Sequence, residues 1–343
     1  MGKSTAGKGT DEHGRPGCSP GPVTDAFDAH PELAPLRTAA WDGDWDATRA
    51  FFAELGSPDD VSFAAGLLAR VDRTEWYLEK VARSLPADPL PRTLLAERHI
   101  RIGWGIRGGA RAGDVPPDQL DEFHGRLRKA ELLLIEVCAE QPAYAPAWTA
   151  RLLTARGLEL GQSEARRRYD RLTEHHPDQP DRSDHPRHPH HFRAQSQLLQ
   201  QLCPQWGGSW EAAHGFAQEC VSAAPDGSHA GILVAEAHIE HWADLDDAEA
   251  AEYLRNVSVR DELRQAARIS VLHPGHRRDW HWTGGHSTFA LAFSLGGHAA
   301  DAAQHFEALG DTSSEAFWRY LPDWRNQFTR YRADALATPR DER

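Results

Sequence analysis

Hydrophobic positions recur at three- and four-residue spacing from about residue 26 to residue 325. This period places apolar side chains on one face of an α-helix, whereas strict alternation would indicate a β-strand. Good helix formers fill the segments between glycine, proline and aspartate, and no convincing alternating segment interrupts them. The pattern therefore predicts an all-α protein.

A longer period connects parts of this helical region. Three sets share a small residue, further core-facing residues four and seven positions later, and a proline twelve positions later. The sets are Ala130, Leu134, Val137 and Pro142; Ala165, Tyr169, Leu172 and Pro177; and Ala213, Ala217, Cys220 and Pro225. A small residue lets two helices approach closely, and a proline ends the helix. The sets therefore predict the second helices of repeated hairpins.

Other hairpins are expected on both sides of these sets. They are predicted in 33–55, 58–84 and 90–140, and a last one pairs 288–295 with the helix of Ala302, Phe306 and Leu309. Trp148 lies in the first helix of the hairpin that continues through Ala165, four residues before Leu152. We therefore expect Trp148 to be buried between helices.

The small-large-proline spacing resembles the second helix of a tetratricopeptide repeat. The match is degenerate, because the unit from Trp148 to Pro177 has an extra residue and lacks the usual central tyrosine. The resemblance implies a right-handed α-solenoid of stacked antiparallel hairpins, about seven to nine of them, with one concave face.

A wider resemblance covers residues 70 to 245. It rests on four runs: Trp104-Gly105-Ile106-Arg107-Gly108, Ala155-Arg156-Gly157-Leu158, Trp206-Gly207-Gly208-Ser209-Trp210-Glu211 and Ala237-His238-Ile239-Glu240. These runs resemble an uncharacterised actinobacterial family of helical-repeat proteins that carry a domain of unknown function. The resemblance implies a fold and no activity.

Charge and composition narrow the classes of partner and compartment. The formal net charge of −13 argues against nucleic acid as the main partner. No apolar run approaches the roughly 20 residues that a membrane span requires. The four cysteines lack the spacing of a zinc or redox motif, so we expect reduced thiols in a cytoplasmic protein: Cys18, Cys138, Cys203 and Cys220.

The flanks and one internal segment lack helical periodicity. Residues 1–25 are predicted to be a disordered lead-in, and 326–343 a charged tail around the repeat domain at 26–325. Gly2, Gly7 and Lys8 imitate a phosphate-binding loop, but Gly9 replaces the required serine or threonine. The segment 178–191 is read as a flexible His/Pro-rich insertion.

The block from Trp206 to Glu211 is the most distinctive local sequence. Gly207 and Gly208 allow a sharp turn, Ser209 is a good helix N-cap, and Glu211 suits a first helical turn. The structural interpretation is a wedge between hairpins formed by Trp206 and Trp210. The functional alternative is a ligand-facing turn, because free N–H groups at a helix start can hold an anion.

A second candidate lies on a helix predicted over 228–243. His238 and His241 are three residues apart and can in principle reach one metal ion, with Glu240 beside them. The alternative is that His238 packs as a satisfied core histidine. Since this helix follows the helix of 209–224, we expect Ser209 and Glu211 to lie near His238, Glu240 and His241.

The segment 273–286 is rich in aromatic residues and histidines, and both a docking surface and a packed turn are possible there. The residues are His276, Asp279, Trp280, His281, Trp282 and His286.

Motifs for nucleophilic, metalloprotease or dinucleotide chemistry do not occur in a suitable context. The preferred hypothesis is a scaffold that binds a protein or peptide in the concave groove and needs no cofactor. The alternative is a metal-dependent enzyme or metal-binding protein that uses His238, Glu240 and His241.

Overall fold

The computed structural model describes residues 21–108, 115–173 and 190–338. These ranges contain seventeen α-helices: α1 Ala26–Ala29, α2 Ala34–Asp42, α3 Trp45–Ala53, α4 Pro58–Leu68, α5 Glu75–Ser84, α6 Pro89–Arg107, α7 Pro117–Glu140, α8 Ala145–Gly157, α9 Gln162–Thr173, α10 Phe192–Leu202, α11 Trp210–Ala223, α12 Ala230–Asp244, α13 Asp247–Tyr253, α14 Val257–Ile269, α15 Trp282–Leu295, α16 Ala299–Leu309 and α17 Trp324–Ala337. Short 3-10 turns occur at Pro31–Leu33, Pro204–Trp206 and Trp318–Tyr320. The described residues include no β-strand, so the predicted all-α class is confirmed for them.

Polar residues at the predicted breaks start many of these helices. The Asp44 carboxylate accepts a hydrogen bond from the Ala47 N–H at 2.9 Å, and the Ser209 hydroxyl accepts one from the Ala212 N–H at 3.1 Å. Each bond satisfies an N–H that has no partner inside the helix. None of the helices in the described ranges combines the length and the apolar character that a membrane-spanning segment requires.

The repeated sets lie on α7, α9 and α11 and face the core. All nine of their helical positions are at most 6% exposed. Trp148 on α8 is also 6% exposed, and its indole N–H donates to the Pro142 carbonyl at 2.8 Å. The predicted helical register and the burial of Trp148 are therefore confirmed.

The helices fall into two classes by burial, which we call inner and outer. Inner helices are buried on all sides over long stretches: Pro91–Ile100 of α6, Ala145–Leu152 of α8, Ala230–Glu240 of α12 and Gly285–Ser294 of α15. Outer helices such as α9 and α14 bury a single stripe. A helix that neighbours surround completely loses its amphipathic pattern, which explains the weak periodicity of the inner helices.

Helix α4 packs against α6, α8 and α10. The Ser62 hydroxyl lies 3.0 Å from Nε2 of His191, and Arg98 donates to the Ala69 carbonyl at 2.9 Å. A Cβ atom at Gly66 would meet the Arg193 guanidinium, so glycine permits this close approach. The chain's own helix α4 thus covers part of the inner helices, and a solenoid with one open concave face is not confirmed.

The N-terminal helices also contact the segments that flank α15 and α16. The Trp280 ring stacks on Phe51, with 6.2 Å between centroids, and its N–H donates to the Glu32 carboxylate at 3.0 Å. Val23 forms backbone hydrogen bonds with Asp311 and Ser313. Regions near the two ends of the chain therefore stabilise each other.

The segments predicted to be irregular, 1–25 and 178–191, include residues at their ends that have ordered contacts. Residues 1–20, which include Gly2, Gly7 and Lys8, and residues 178–189 lie outside the described residues. Val23, in contrast, is held by the backbone bonds described above, and His191 is buried as the N-cap of α10. A proline- and histidine-rich composition concealed this capping role.

The predicted charged tail from residue 326 overlaps α17. Phe328 is 1% exposed and packs edge-on against Phe306 and Trp318. Trp324, Phe328, Tyr331 and Ala335 have helical spacing, but the intervening arginines and aspartate obscure it. Core packing of this stripe outweighs the polar composition.

Candidate functional site

The double glycine of the predicted binding block is required by the backbone. Gly207 adopts a φ of +84°, which favours glycine. A Cβ atom at Gly208 would lie 1.9 Å from the carbonyl oxygen of Leu202, so the turn packs directly on the end of α10. Ser209 caps α11, and the Glu211 side chain is exposed in its first turn.

The aromatic face of Trp206 contacts the chain itself. Its ring lies edge-on to Trp104 at 5.8 Å, and the guanidinium groups of Arg107 and Arg156 lie 5.3 and 5.7 Å from its centroid. Such cation–π and aromatic contacts join α6, α8 and the turn before α11. This geometry matches the wedge interpretation of Trp206.

The start of α11 lies beside the end of α12, as expected for the two helices, but the contacts are made by Trp210 and not by the predicted Ser209 and Glu211. The Trp210 ring stacks on His241, with 4.6 Å between centroids and 8° between planes. The Trp210 N–H donates to the Asp244 carboxylate at 3.3 Å. Burial and the nearby His238 lower the pKa of His241.

A chain of polar groups joins α11 to α14, and we call it the α12 histidine cluster: His214, His238, His241, Tyr253 and Glu262. Nε2 of His214 lies 3.1 Å from Nδ1 of His241, and Nδ1 of His238 lies 2.8 Å from the Tyr253 hydroxyl. Nε2 of His238 lies 3.2 Å from a Glu262 oxygen. Burial, with His238 and His241 nearby, lowers the pKa of His214 to about 4. His214 therefore takes part as a neutral imidazole near neutral pH.

Glu240 does not join this cluster. Its carboxylate accepts hydrogen bonds from Gln200 and the Tyr320 hydroxyl, both at 2.6 Å, and from Gln205 at 3.2 Å. The structure thus separates Glu240 from His238, although the two are close in sequence. Among the described residues, no group of three or more His, Cys, Asp or Glu side chains is arranged to hold a metal ion.

Glu240 belongs to a second polar region on the inner helices. Helix α10 presents Arg193, Ser196, Gln197 and Gln200 on one stripe, and all four are half-buried. Around this stripe lie Arg156, Glu236, Glu240 and Tyr320. We call these eight residues the inner polar face. Arg156 donates to the Gln197 side chain at 2.8 Å, which fixes the amide of that residue.

Burial strongly perturbs the charges of this face. It lowers the pKa of Arg156 to about 10, with Glu240 opposing the change. It raises the pKa of Glu240, although the hydrogen bonds from Tyr320 and Gln200 oppose the shift. Perturbed ionisable groups in one place are typical of functional sites, because fold stability alone does not favour them.

Glu236 lies one helical turn before Glu240. Burial raises the pKa of Glu236 to about 7; a hydrogen bond from Ser196 opposes this rise and the charge of Glu240 adds to it. Its Oε2 atom is buried and has no hydrogen-bond partner. The Nε atom of Arg193 is also buried without a partner. The inner polar face therefore holds one unsatisfied acceptor and one unsatisfied donor.

A third polar group lies where α4, α10 and α15 begin. His191 and His281 are the N-cap residues of α10 and α15, and Asp59 lies in the first turn of α4. Asp59 is 2.9 Å from Nδ1 of His191 and 3.0 Å from Nε2 of His281. Burial opposes ionisation of Asp59, but the facing histidines hold its pKa well below the usual range.

The segment 273–286 supplies the neighbours of this group. Asp279 accepts from the His281 N–H at 3.0 Å and lies 2.7 Å from Nε2 of His229, the N-cap residue of α12. Nδ1 of His276 lies 2.9 Å from the Gly227 carbonyl. Trp282 packs edge-on to His286. The packed-turn interpretation of this segment is therefore the one that its contacts match.

Several residues of these regions gave no sequence signal. His214 and Asp59 stand in ordinary amphipathic contexts, Glu236 lies on the weakly periodic α12, and all three meet their partners only through helix packing. The one sequence signal for Glu236 is a carboxylate at a position expected to be buried. The weak periodicity of α12 makes that burial hard to predict. No protein-family model, curated protein or solved structure matches this chain.

Proposed function

We propose that this protein is a binding module that holds a peptide segment of a partner protein on the inner polar face. The observation that supports this most directly is the stripe on α10. Arg193, Ser196, Gln197 and Gln200 stay polar and half-buried on a helix whose other faces are packed. Amide, hydroxyl and guanidinium groups are suited to the N–H and C=O groups of an extended peptide.

Preorganisation of the side chains favours binding. Gln197 is fixed by Arg156, and Gln200 is fixed by Glu240, which Tyr320 also contacts. The protein then loses less side-chain entropy when a ligand binds, because these groups are already ordered.

The metal-dependent alternative draws no support from this geometry. Glu240 is bonded to Gln200 and Tyr320, whereas His238 is bonded to Tyr253 and Glu262. The proposed binding role therefore rests on the inner polar face alone.

A peptide selection tests the proposal. A random peptide library displayed on phage is selected on the full chain, and selected peptides are then measured against Ser196→Arg. The new side chain blocks the middle of the α10 stripe, and its charge can pair with Glu236. Ser258→Arg, at an exposed position in the first turn of α14, is the matched control.

We expect peptides whose affinity falls at least about tenfold in Ser196→Arg and is unchanged in Ser258→Arg. Both variants should keep the melting temperature of the parent chain. Selected peptides that bind Ser196→Arg as tightly as the parent chain would overturn the proposal. A library that yields no peptide would do so too.

A further inference from the structure

Two tryptophans outside the inner polar face are largely exposed. Trp41, near the end of α2, is 72% exposed, and Trp76, in the first turn of α5, is 63% exposed. A Cβ atom at Gly43 would lie 3.7 Å from Cζ2 of Trp76, so Trp76 lies against the turn that Trp41 directly precedes in the chain. We call Trp41, Trp76 and this turn, residues 42–44, the tryptophan patch.

The fold does not need these two indoles. Helix α2 is anchored by Leu36 and Ala40, and α5 by Tyr77 and Leu78, all of which are buried. Single exposed apolar residues are common on protein surfaces, but two largely exposed tryptophans beside one turn are not. Tryptophan is the residue most enriched among the energetic centres of protein interfaces, because it combines a large apolar area with a polar N–H.

The charge around the patch indicates what kind of surface it complements. Asp42, Asp44 and Asp46 surround the turn after Trp41, and Glu79 lies one turn after Trp76. In the described part of the chain, none of these four carboxylates forms an ion pair with a cation. Lys80, Arg83 and Arg49 offset the charges of Glu79 and Asp46 on the same helices, and Arg83 donates to the Glu79 carbonyl. The excess negative charge of the patch is therefore that of Asp42 and Asp44 at the turn itself.

We propose that the tryptophan patch is a docking site for a segment of a partner protein that carries both apolar side chains and lysine or arginine. The apolar side chains cover the indoles, and the basic groups reach the surrounding carboxylates. Guanidinium and ammonium groups also bind the faces of tryptophan rings, so the same cations can contact both parts of the patch. This surface is separate from the inner polar face and does not depend on it.

Such an interface has a defined response to salt. Opposite charges at the edge of an interface mainly accelerate association, and added salt screens them within about 10 Å at 0.1 M. The apolar contact with the indoles is far less sensitive to salt. Binding should therefore weaken with ionic strength without disappearing.

The test uses the same displayed random library on the full chain, with different variants. Selected peptides are synthesised and measured against the double variant Trp41→Ala/Trp76→Ala and against Asp42→Lys. We expect one class of peptides rich in basic and apolar residues, whose affinity falls at least about tenfold in the double variant. The same peptides should bind Asp42→Lys more weakly and bind Ser196→Arg as well as the parent chain.

Three outcomes would overturn the proposal. Selected peptides without basic residues exclude the charge complementarity. Equal binding to the parent chain and the double variant excludes the patch. Concentration-dependent self-association of the parent chain, abolished in the double variant, assigns the patch to a second copy of this chain. Asp42→Lys changes an exposed side chain, so it keeps the test valid even where the double variant unfolds.

Discussion

The Asp59 carboxylate lies 3.0 Å from Nε2 of His281 and thereby joins the first turn of α4 to the N-cap of α15. Burial opposes the charge on both groups. Their mutual attraction outweighs this penalty, because it lowers the pKa of Asp59 and raises that of His281. This pair therefore connects regions that are far apart in sequence and makes their association dependent on pH.

Asp59→Asn should lower the free energy of unfolding by about 3–5 kcal/mol near pH 6, because it leaves His281 buried without its counter-charge. A depressed carboxylate pKa contributes stability above its unfolded value, and that stability is lost as pH falls through the folded pKa. A raised histidine pKa contributes stability below its unfolded value of 6.5, and that stability is lost as pH rises through the folded pKa. The difference between parent and variant should therefore be largest between about pH 4 and pH 6.5.

Urea denaturation across this pH range measures that difference. Asp60→Asn is the matched control, because Asp60 lies in the same turn of α4 and has no histidine partner in the described chain. A difference that is constant with pH would show that Asp59 acts through packing and not through its charge.

Glu236→Gln tests the buried carboxylate of the inner polar face. A folded pKa of about 7, compared with an ordinary value of 4.5, means that the native state keeps a proton that the unfolded chain has lost. Below about pH 4.5 both states are protonated and the buried carboxyl does not reduce the stability of the fold. As pH rises from about 4.5 to about 7, the unfolded chain releases its proton and the free energy of unfolding falls. The parent chain should thus lose about 3 kcal/mol relative to Glu236→Gln over this window.

The comparison requires stability measurements of both proteins at pH 5 and pH 8. Glu249→Gln, on the exposed side of α13, provides a control that should show no such window. Identical pH profiles for the parent chain and Glu236→Gln would contradict the perturbed pKa.

Trp148→Ala should lower the free energy of unfolding by about 3–5 kcal/mol. The side chain is buried in the core, and its N–H donates to the Pro142 carbonyl. Truncation therefore creates a cavity and leaves that carbonyl without its partner. Trp41→Ala, at a position that is 72% exposed, should change stability by less than about 1 kcal/mol. Chemical denaturation of both variants checks the contrast, and similar losses would refute the assigned register.

The helices and their repeated core positions could be predicted from the sequence, because short-range periodicity encodes them. The set that begins at Ala165 is a case in point, since all three helical members are buried on α9. The sequence also placed the start of α11 beside the end of α12, because a short turn joins the two helices, but it did not identify Trp210 and His241 as the residues in contact. It did not find Asp59 with His281, or His214 with Tyr253. These contacts depend on how distant helices pack, and no local pattern records that packing.

Gly208→Ala should destabilise the protein more than a glycine substitution normally does. The added Cβ would lie 1.9 Å from the Leu202 carbonyl oxygen and 2.8 Å from its Cα, so backbone has to move. A displaced turn weakens the contact of α10 with α11 and shifts Trp206 from the cation–π contacts it makes with Arg156. We expect a loss of about 1–3 kcal/mol, in line with other overpacked sites.

Gly215→Ala is the matched control for this substitution. Gly215 lies inside α11, and its added Cβ would have no atom within 4 Å. Alanine favours a helix interior over glycine by roughly 1 kcal/mol, so this variant should be more stable than the parent chain. Thermal and urea unfolding of both variants give the two signs. Stabilisation by Gly208→Ala would show that the turn does not pack on Leu202, and the wedge interpretation of the block from Trp206 to Glu211 would then fail with it.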